Sequence, residues 1–585
     1  MIAAKVIYQK LIEKQINHVF GYSGGAILPL LDQFFQSKDI HLIKNSNEAC
    51  SGFSAEGYSK SLFKIKPGVV LTTSGPGITN LITPLQNAYS DGTPLIVISA
   101  QVPLTSLYSD AFQECRATNL TYDCTKWNTM ITDPKQISET IDKAFKISME
   151  DRKGPVHIDI PKDVLLQKSS MHYVQKGNIK IIDRKYNSLV SDVFLKIKQS
   201  QKPILCVGQG CNHISKEITE FAENNQIPVV STIHGLGVIN ETNELSLQMC
   251  GMHGHPVANM ALQQADLIIG IGTRFDDRIT GNLSTYGRNA RKHYGIIHVD
   301  SSSKQIKLVR KNFRKHFLNT DFLHQLTMNS KQFIKTVHTK KIETPERKQW
   351  IQYLHSLQNI HKYYTGGDSN KMYTPDVIQT MDQCITQLNI NRHKLLFTTG
   401  VGNHQMWAAQ RITWTSPGKM ITSGSLGTMG VGVPFAIGCK LANPRSMVIC
   451  IDGDSSFNMT SNELQTIFEQ NIPIKIAIMN DKRQQMVHVW QQLFHNNRIV
   501  LTENKNPNYR LLGKAYHIQT YECNSKKTLV RTINKFLLCK GPVIASFNVE
   551  PSMCYPLVSP GKALDDMIMN ETDIHKIDTK RNSPN

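Results

Sequence analysis

Two carboxylates separated by one helix and one strand could share a divalent cation in this chain. Asp454 follows an apolar run, residues 447–451, and Asp481 follows a second, residues 474–479. Both runs read as buried strands, and residues 461–469 between them carry an amphipathic helical pattern. If the strands are parallel neighbours, both acids stand at their carboxyl ends, where open parallel sheets bind ligands. Hard oxygen donors suit Mg²⁺, which takes one or two carboxylates and fills its shell with phosphate oxygens and water. Gly453 would let the backbone approach a diphosphate closely. A polar turn in an ordinary βαβ unit is the alternative reading of the same residues.

The elements that would position such a site recur along the chain. Residues 18–22, 68–73, 95–100 and 155–160 read as strands, with helical patterns at 24–31, at 47–63 behind a polar cap, and from Thr79. A second unit begins with the strand and glycine turn Val207-Gly208-Gln209-Gly210, and adds strands at 228–232, 267–272 and 296–300. Two glycines there are too few for a full dinucleotide fingerprint. The third unit runs from 394 to about 549. Residues 167–187 and 329–374 read as linkers and the end from Thr572 as a polar tail. This alternation predicts an α/β chain of three doubly wound parallel-sheet domains, at 1–166, 188–330 and 370–560, with a tail at 561–585.

Composition bounds the function. With 585 residues, 40% of them hydrophobic, the chain can build several large cores. No run of 18 apolar residues is present, so no membrane span is expected. The 12 cysteines are scattered without a CxxC pair, which predicts reduced structural thiols. The net charge of +20 invites a nucleic-acid reading, but the cations are dispersed and no binding module is present. The densest basic runs, 310–315 and 340–348, fall in what reads as linker. An amphipathic pattern at 3–15 follows Met1 directly, which predicts no signal or transit peptide. Abundant Lys, Asn and Ile suit an A+T-rich genome, hence synthesis in a plastid, with a bacterial-type cytoplasm as the alternative.

Further segments must be weighed together: Phe20-Gly21-Tyr22-Ser23-Gly24-Gly25, Asn47-Glu48-Ala49, SGPGITN at 74–80, AFQE at 111–114, TKWN at 125–128 and GPVHIDIPKDV at 154–164. GMHGH at 251–255 and GTRFDDRITGN at 272–282 follow, then VGNHQMWAAQ at 401–410, GSLGTMGVGVP at 424–434 and MVHVWQQLF at 486–494. In this order, from about residue 3 to 563, the chain closely resembles the large catalytic subunit of acetohydroxyacid (acetolactate) synthase, a thiamine-diphosphate enzyme. The combination of AFQE, RFDDR and MVxxW is the specific part of that resemblance.

The resemblance implies roles that the residues alone leave open. Glu48 would hydrogen-bond the cofactor's aminopyrimidine; read by itself it fits a helix-capping acid better, and the resemblance reverses that. Met429 would wedge beneath thiamine diphosphate and hold it bent, or simply fill core space. Gly25, Pro76, Asn80, Val401, Gly402, Asn403, His404, Gly427, Gly453, Asp454, Ser455 and Met486 would complete its binding site, with Mg²⁺ on Asp454 and Asp481. Gly208, Gly210, Thr232, Met252, His253, Arg274 and Asp300 match positions that line a non-redox FAD. Arg278 would take the second substrate's carboxylate through its planar fork, unless it merely pairs with Asp277. Trp490 would narrow the pocket toward 2-ketobutyrate, and Phe112, Gln113 and Lys162 match further active-site positions.

By resemblance the chain would join pyruvate to pyruvate or 2-ketobutyrate, the first common step to valine, leucine and isoleucine. It would work as a homodimer or homotetramer with sites between chains, with a separate small regulatory subunit and neither nucleic acid nor membrane as partner. Departures from the family pattern are Ser23 for Pro, Ala49 for Gln, Asn403 for Gln, Ser455 for Gly, Asp481 for Asn and the serines at 301–303. They keep two alternatives open: another thiamine-diphosphate decarboxylase or oxidase, and a catalytically impaired homologue acting as a binding subunit.

Overall fold

Three six-stranded sheets, every neighbouring pair parallel, form the frame of the computed structural model, which describes residues 1–171, 187–337, 345–360, 368 and 370–570. The first sheet orders its strands His41–Lys44, His18–Gly21, Gly68–Thr72, Leu95–Gln101, Pro155–Pro161 and Trp127–Met130. The second runs Leu323–Thr327, Gly295–Asp300, Leu267–Ile271, Pro203–Val207, Val229–Ser231 and Ser246–Met249. The third runs Met420–Ile421, Leu395–Thr399, Met447–Gly453, Lys475–Asn480, Val543–Asn548 and Gln519–Cys523. Central strands such as Leu95–Gln101 and Pro203–Val207 are buried throughout, as expected when helices cover both faces.

Each strand order reverses beside its first strand in chain order, and that reversal brings two turns together. In the first sheet these follow His18–Gly21 and Gly68–Thr72; a Cβ on Gly24 would lie 2.4 Å from the Thr73 side chain. In the second they are the turns of Gly208–Gly210 and Gly272; a Cβ on Gly208 would meet the Gly272 carbonyl oxygen at 2.2 Å. In the third they follow Leu395–Thr399 and Met447–Gly453.

Several segments differ from the sequence reading for identifiable reasons. The first glycine turn does not open its helix at once; the helix is Leu28–Gln36, with Pro29 in its first turn, where a missing N–H costs nothing. After Gly453 a short helix, Asp454–Met459, starts immediately, then Ser461–Glu463 and Leu464–Glu469 follow as separate pieces. Helix Glu48–Ser61 is not amphipathic: all its residues except Ala49 are buried. Its small residues admit helix Gly432–Ala442 so closely that a Cβ on Gly438 would lie 1.8 Å from the Ser54 carbonyl oxygen.

The basic run at 310–315 belongs to helix Ser303–Arg314, which buries Ile306, Val309 and Phe313 and turns its lysines outward, rather than to a linker. Past residue 330, helices Ser330–Val337 and Pro345–Ile360 pack on the central unit. Buried Arg347 donates to the carbonyls of Ser200, Asn225 and Ile197, and Trp350 Nε1 donates to Pro203 O. Residues 561–570 return to the same unit, where Asn282 N–H donates to Lys562 O and Arg288 pairs with Asp565. Most of the first linker, 172–186, and the tail beyond 570 lie outside the described residues.

Candidate active site

Asp454 and Asp481 line one narrow cavity of about 60 Å³ at the reversal point of the third sheet. Strands Met447–Gly453 and Lys475–Asn480 are parallel neighbours, with Gly453 opposite Met479, so the two acids emerge side by side. Asp454 Oδ1 accepts from Ser455 N–H at 2.9 Å, and its Oδ2 accepts from Asn504 at 3.4 Å and from Asn506. Asn506 also donates to Asn480 Oδ1 at 2.8 Å. Asp481 Oδ1 accepts from Arg483 N–H at 3.1 Å. Burial raises both carboxyls; Asp481, pushed further by the neighbouring Asp454, reaches about 8.

Two acids that oppose each other's ionisation in this way form a donor set suited to a cation. Among the described residues no cluster of three or more His, Cys, Asp or Glu side chains is placed to hold a metal. A two-carboxylate site fits Mg²⁺, which draws its remaining oxygens from a ligand phosphate and water. Asn504 and Asn506 come from a loop without any motif, and nothing in the spacing announced them.

The other walls of the cavity include Val401, Gly402, Asn403, His404, Met429, Gly453, Ser455 and Met486. Gly402 has φ 151°, a conformation that favours glycine, so the chain can turn directly into helix Asn403–Arg411. Asn403 Nδ2 donates to Ser552 O at 3.1 Å, tying that helix to the segment after strand Val543–Asn548. His404 is buried, with Nε2 3.3 Å from Asp452 Oδ1. Gly427 does not line the cavity but has φ +74° in the loop leading to Met429. Trp490 lies one helical turn beyond Met486, half-buried, edge-on to Phe494 at 5.5 Å.

Glu48 is not among the residues lining that cavity. It begins helix Glu48–Ser61, capped by Asn47, whose side chain accepts from Cys50 N–H. Only 8% of Glu48 is exposed, and Asn80 Nδ2 donates to its Oε2 at 2.9 Å. Asn80 ends the short helix Pro76–Thr79, so the segment after strand Gly68–Thr72 meets the one after the edge strand His41–Lys44 here. A Cβ on Gly75 would lie 2.8 Å from the Gln113 carbonyl, which places the AFQE loop over the same turn. Glu114 accepts from the backbone N–H groups of Tyr108, Ser109 and Ala111 and closes that loop, leaving Phe112 88% exposed. Gly25 has open space where its Cβ would stand, and Lys162 opens the helix after strand Pro155–Pro161.

A larger cavity of about 480 Å³ opens between the three units. Of the central residues singled out by sequence, Gly210, Thr232, Arg274 and Asp300 line it, as does Arg278. Gly208, Met252 and His253 do not: His253 is turned away to Pro556 O at 3.1 Å, and Met252 Sδ instead meets Arg278 Nη1 at 3.0 Å. Arg278 is loosely held, its side chain 57% exposed and 3.9 Å from Asp277. Lys64, Arg152 and Lys153 add cations that the sequence reading missed. Burial drives the Lys64 ammonium well below its ordinary range, with Lys60 nearby adding to the effect. A cavity of this size, with glycine turns and the guanidinium groups of Arg152, Arg274 and Arg278 in its lining, fits a ligand bearing phosphates, as FAD does.

Residues 1–120, 190–315 and 400–547 match, in turn, the N-terminal TPP binding, central and C-terminal TPP binding domains of thiamine pyrophosphate enzymes. Over 97% of this chain and 86% of the relative, it is 38% identical to the mitochondrial acetolactate synthase of Schizosaccharomyces pombe. The chain belongs to the acetolactate synthase large-subunit family. The mitochondrial acetolactate synthase catalytic subunit of Saccharomyces cerevisiae is 36% identical over 98% of this chain and 85% of its own. The acetolactate synthase large subunit of the red alga Porphyra purpurea is 35% identical over 96% and 94%. The acetolactate synthase resemblance seen in the motifs therefore extends over nearly the whole length.

Proposed function

We propose that this chain is a thiamine-diphosphate-dependent acetolactate synthase catalytic subunit. It would decarboxylate pyruvate and join the remaining two-carbon unit to pyruvate or 2-ketobutyrate, giving 2-acetolactate or 2-aceto-2-hydroxybutyrate. The observation that carries the reading is the pairing of buried Asp454 with half-buried Asp481 at a sheet reversal point, in one cavity with Met429 and Met486. Thiamine diphosphate, when bound, would supply a nucleophilic carbon in a cationic thiazolium ring, and that ring can take up the electron pair released with CO₂.

The chain's own residues would do the rest. Asp454 and Asp481 hold Mg²⁺, and Gly453 and Ser455 present backbone to the diphosphate. Met429 supports the cofactor from below, and Glu48 holds a proton at the aminopyrimidine nitrogen N1′. Arg278 pairs with the second keto acid's carboxylate, and Trp490 limits the space for its alkyl group. Arg274, Arg152, Asp300 and Thr232 would hold FAD in the larger cavity as a structural, non-redox group.

Glu48 stands outside the Asp454 cavity of its own chain, and Phe112 beside the Glu48 turn is 88% exposed. Both features support a site completed by a second copy, with Glu48 from one protomer and Asp454 from the other. The catalytic-subunit names of the relatives support a separate regulatory partner, and the Lys-, Asn- and Ile-rich composition supports synthesis in a plastid. Purified protein supplied with thiamine diphosphate, Mg²⁺ and FAD should convert pyruvate to acetolactate, and with 2-ketobutyrate added should also form the larger product. Acetaldehyde alone would favour a simple decarboxylase, and no cofactor binding would favour a binding subunit.

A further inference from the structure

The loop that carries Met429 is fastened by the amino-terminal unit. Asn87, on helix Ile82–Asp91, accepts at Oδ1 from Ser423 Oγ at 2.6 Å and from Thr428 Oγ1 at 2.9 Å. Ser423 Oγ in turn accepts from the N–H groups of Gly427, at 3.1 Å, and Thr428, at 3.0 Å. One turn along the same helix, Asp91 Oδ2 accepts from Gly424 N–H at 3.2 Å and from Lys60 Nζ at 2.7 Å. Lys60 also donates to Thr422 O at 2.8 Å. Behind these contacts Glu56 accepts from Asn87 Nδ2 at 2.7 Å and pairs with Lys60 at 2.9 Å.

Glu56, Asn87 and Ser423 are fully or almost fully buried. A buried polar network of this kind favours one geometry, because a displacement leaves further buried groups without their partners. The loop has little rigidity of its own: Gly424, Gly427 and Gly430 interrupt it, the last two at φ +74° and +77°. Met429 is apolar and cannot be anchored by a hydrogen bond of its side chain. Its position is therefore set by what holds the flanking residues: the Asn87–Asp91 face of one helix and the Glu56–Lys60 face of another, together with Gln405, which donates to Thr422 Oγ1 at 2.7 Å and Ser423 O at 3.0 Å, and Ser456, whose Oγ accepts from Gly430 N–H at 2.9 Å.

We propose that Asn87 is a positioning residue, which acts through the hydroxyls of Ser423 and Thr428 to hold Met429 against bound thiamine diphosphate. This rests on the cofactor assignment given above. Because Asn87 belongs to the amino-terminal unit and Met429 to the carboxy-terminal one, the relation also makes the wedge depend on how these two units are packed.

Thr428→Val removes one hydroxyl at constant shape, and Thr428→Ser restores it. In the full chain, amide hydrogen exchange of the 422–430 segment without cofactor should quicken in Thr428→Val and return to the wild-type rate in Thr428→Ser. With thiamine diphosphate and Mg²⁺ bound, deuterium exchange at the cofactor's C2 should slow about tenfold in Thr428→Val, the weight of one buried hydrogen bond, and recover in Thr428→Ser. If Thr428→Val fails to fold, Ser423→Ala decides by the same two readouts. Wild-type C2 exchange in a variant that binds the cofactor, or no recovery in Thr428→Ser, overturns the positioning role and leaves the cofactor assignment standing. No calorimetric binding of thiamine diphosphate to the wild-type protein overturns both.

Discussion

Asn80 donates through Nδ2 to Glu48 Oε2 at 2.9 Å, joining the segment after strand Gly68–Thr72 to the head of helix Glu48–Ser61. A capping acid would be served by its own helix N-terminus; here Asn47 already provides the cap, and the Glu48 carboxyl is turned to a neighbouring segment instead. Glu48→Gln keeps the shape and should fold normally, while carboligation falls by at least about 10²-fold, as for a lost acid–base group. Asn80→Ala, which frees the carboxyl without removing it, should cost less. Equal losses in the two variants, or wild-type C2 exchange in Glu48→Gln, would return Glu48 to a structural role.

Asp481 makes cofactor loading depend on pH. Its folded-state pKa, about 8, lies above the ordinary 3.8, so the metal-free folded chain holds a proton there that the unfolded chain has lost. The stability associated with that proton is present below about pH 4 and is lost as pH rises toward 8. A metal needs the ionised carboxylate, so Mg²⁺ affinity in the presence of thiamine diphosphate should climb with pH up to about 8 and then level off. Asp481→Asn should bind the cofactor with a flatter pH profile, and Asp454→Ala should not bind it. Calorimetry at several pH values checks all three; unchanged affinity in Asp454→Ala would remove the metal from this site.

Strand and turn positions were legible because apolar runs ending in glycine leave few alternatives. The Asp454–Asp481 juxtaposition followed from that pattern alone. Packing between units was not legible. Helix Glu48–Ser61 has no apolar stripe because neighbours cover it on every side, and Gly52, Ser54, Ala55 and Gly57 mark close approach rather than weak helix. Ligand-site residues drawn from remote loops, such as Asn504, Asn506 and Arg152, carried no local signal. The assignments of Met252 and His253 came from resemblance only and that of Gly208 from an incomplete glycine fingerprint, and none of the three lines the cavity.

That close approach gives a stability test. An exposed helix glycine gains about 1 kcal/mol on replacement by alanine. A Cβ on Gly438 would stand 1.8 Å from the Ser54 carbonyl oxygen, and one on Gly57 would stand 2.5 Å from the Phe435 carbonyl oxygen. Gly438→Ala and Gly57→Ala should therefore destabilise, by about 1–3 kcal/mol through overpacking, with Gly438→Ala the worse. Thermal unfolding decides it; a stabilised Gly438→Ala would mean that the two helices are packed less tightly than these distances require.

Trp490 and Arg278 should divide the choice of second substrate from its capture. Both keto acids carry a carboxylate, so Arg278 should serve them equally. Its half-exposed guanidinium, only 3.9 Å from Asp277, is free to turn to a ligand. Arg278→Lys should slow carboligation with both acceptors, because a point charge cannot reproduce the planar fork. The acceptors differ by one methylene, worth about 1–3 kcal/mol in an apolar pocket, or roughly 10–200-fold. Trp490 is not itself among the residues lining the Asp454 cavity; it is half-buried one turn beyond Met486, which is. Trp490→Leu should reduce preference for 2-ketobutyrate while keeping acetolactate formation. A competition assay with both keto acids, scoring the two products, separates the roles. An unchanged product ratio in Trp490→Leu would assign the ring to packing against Phe494 and leave the pocket wall to Met486 and Val487.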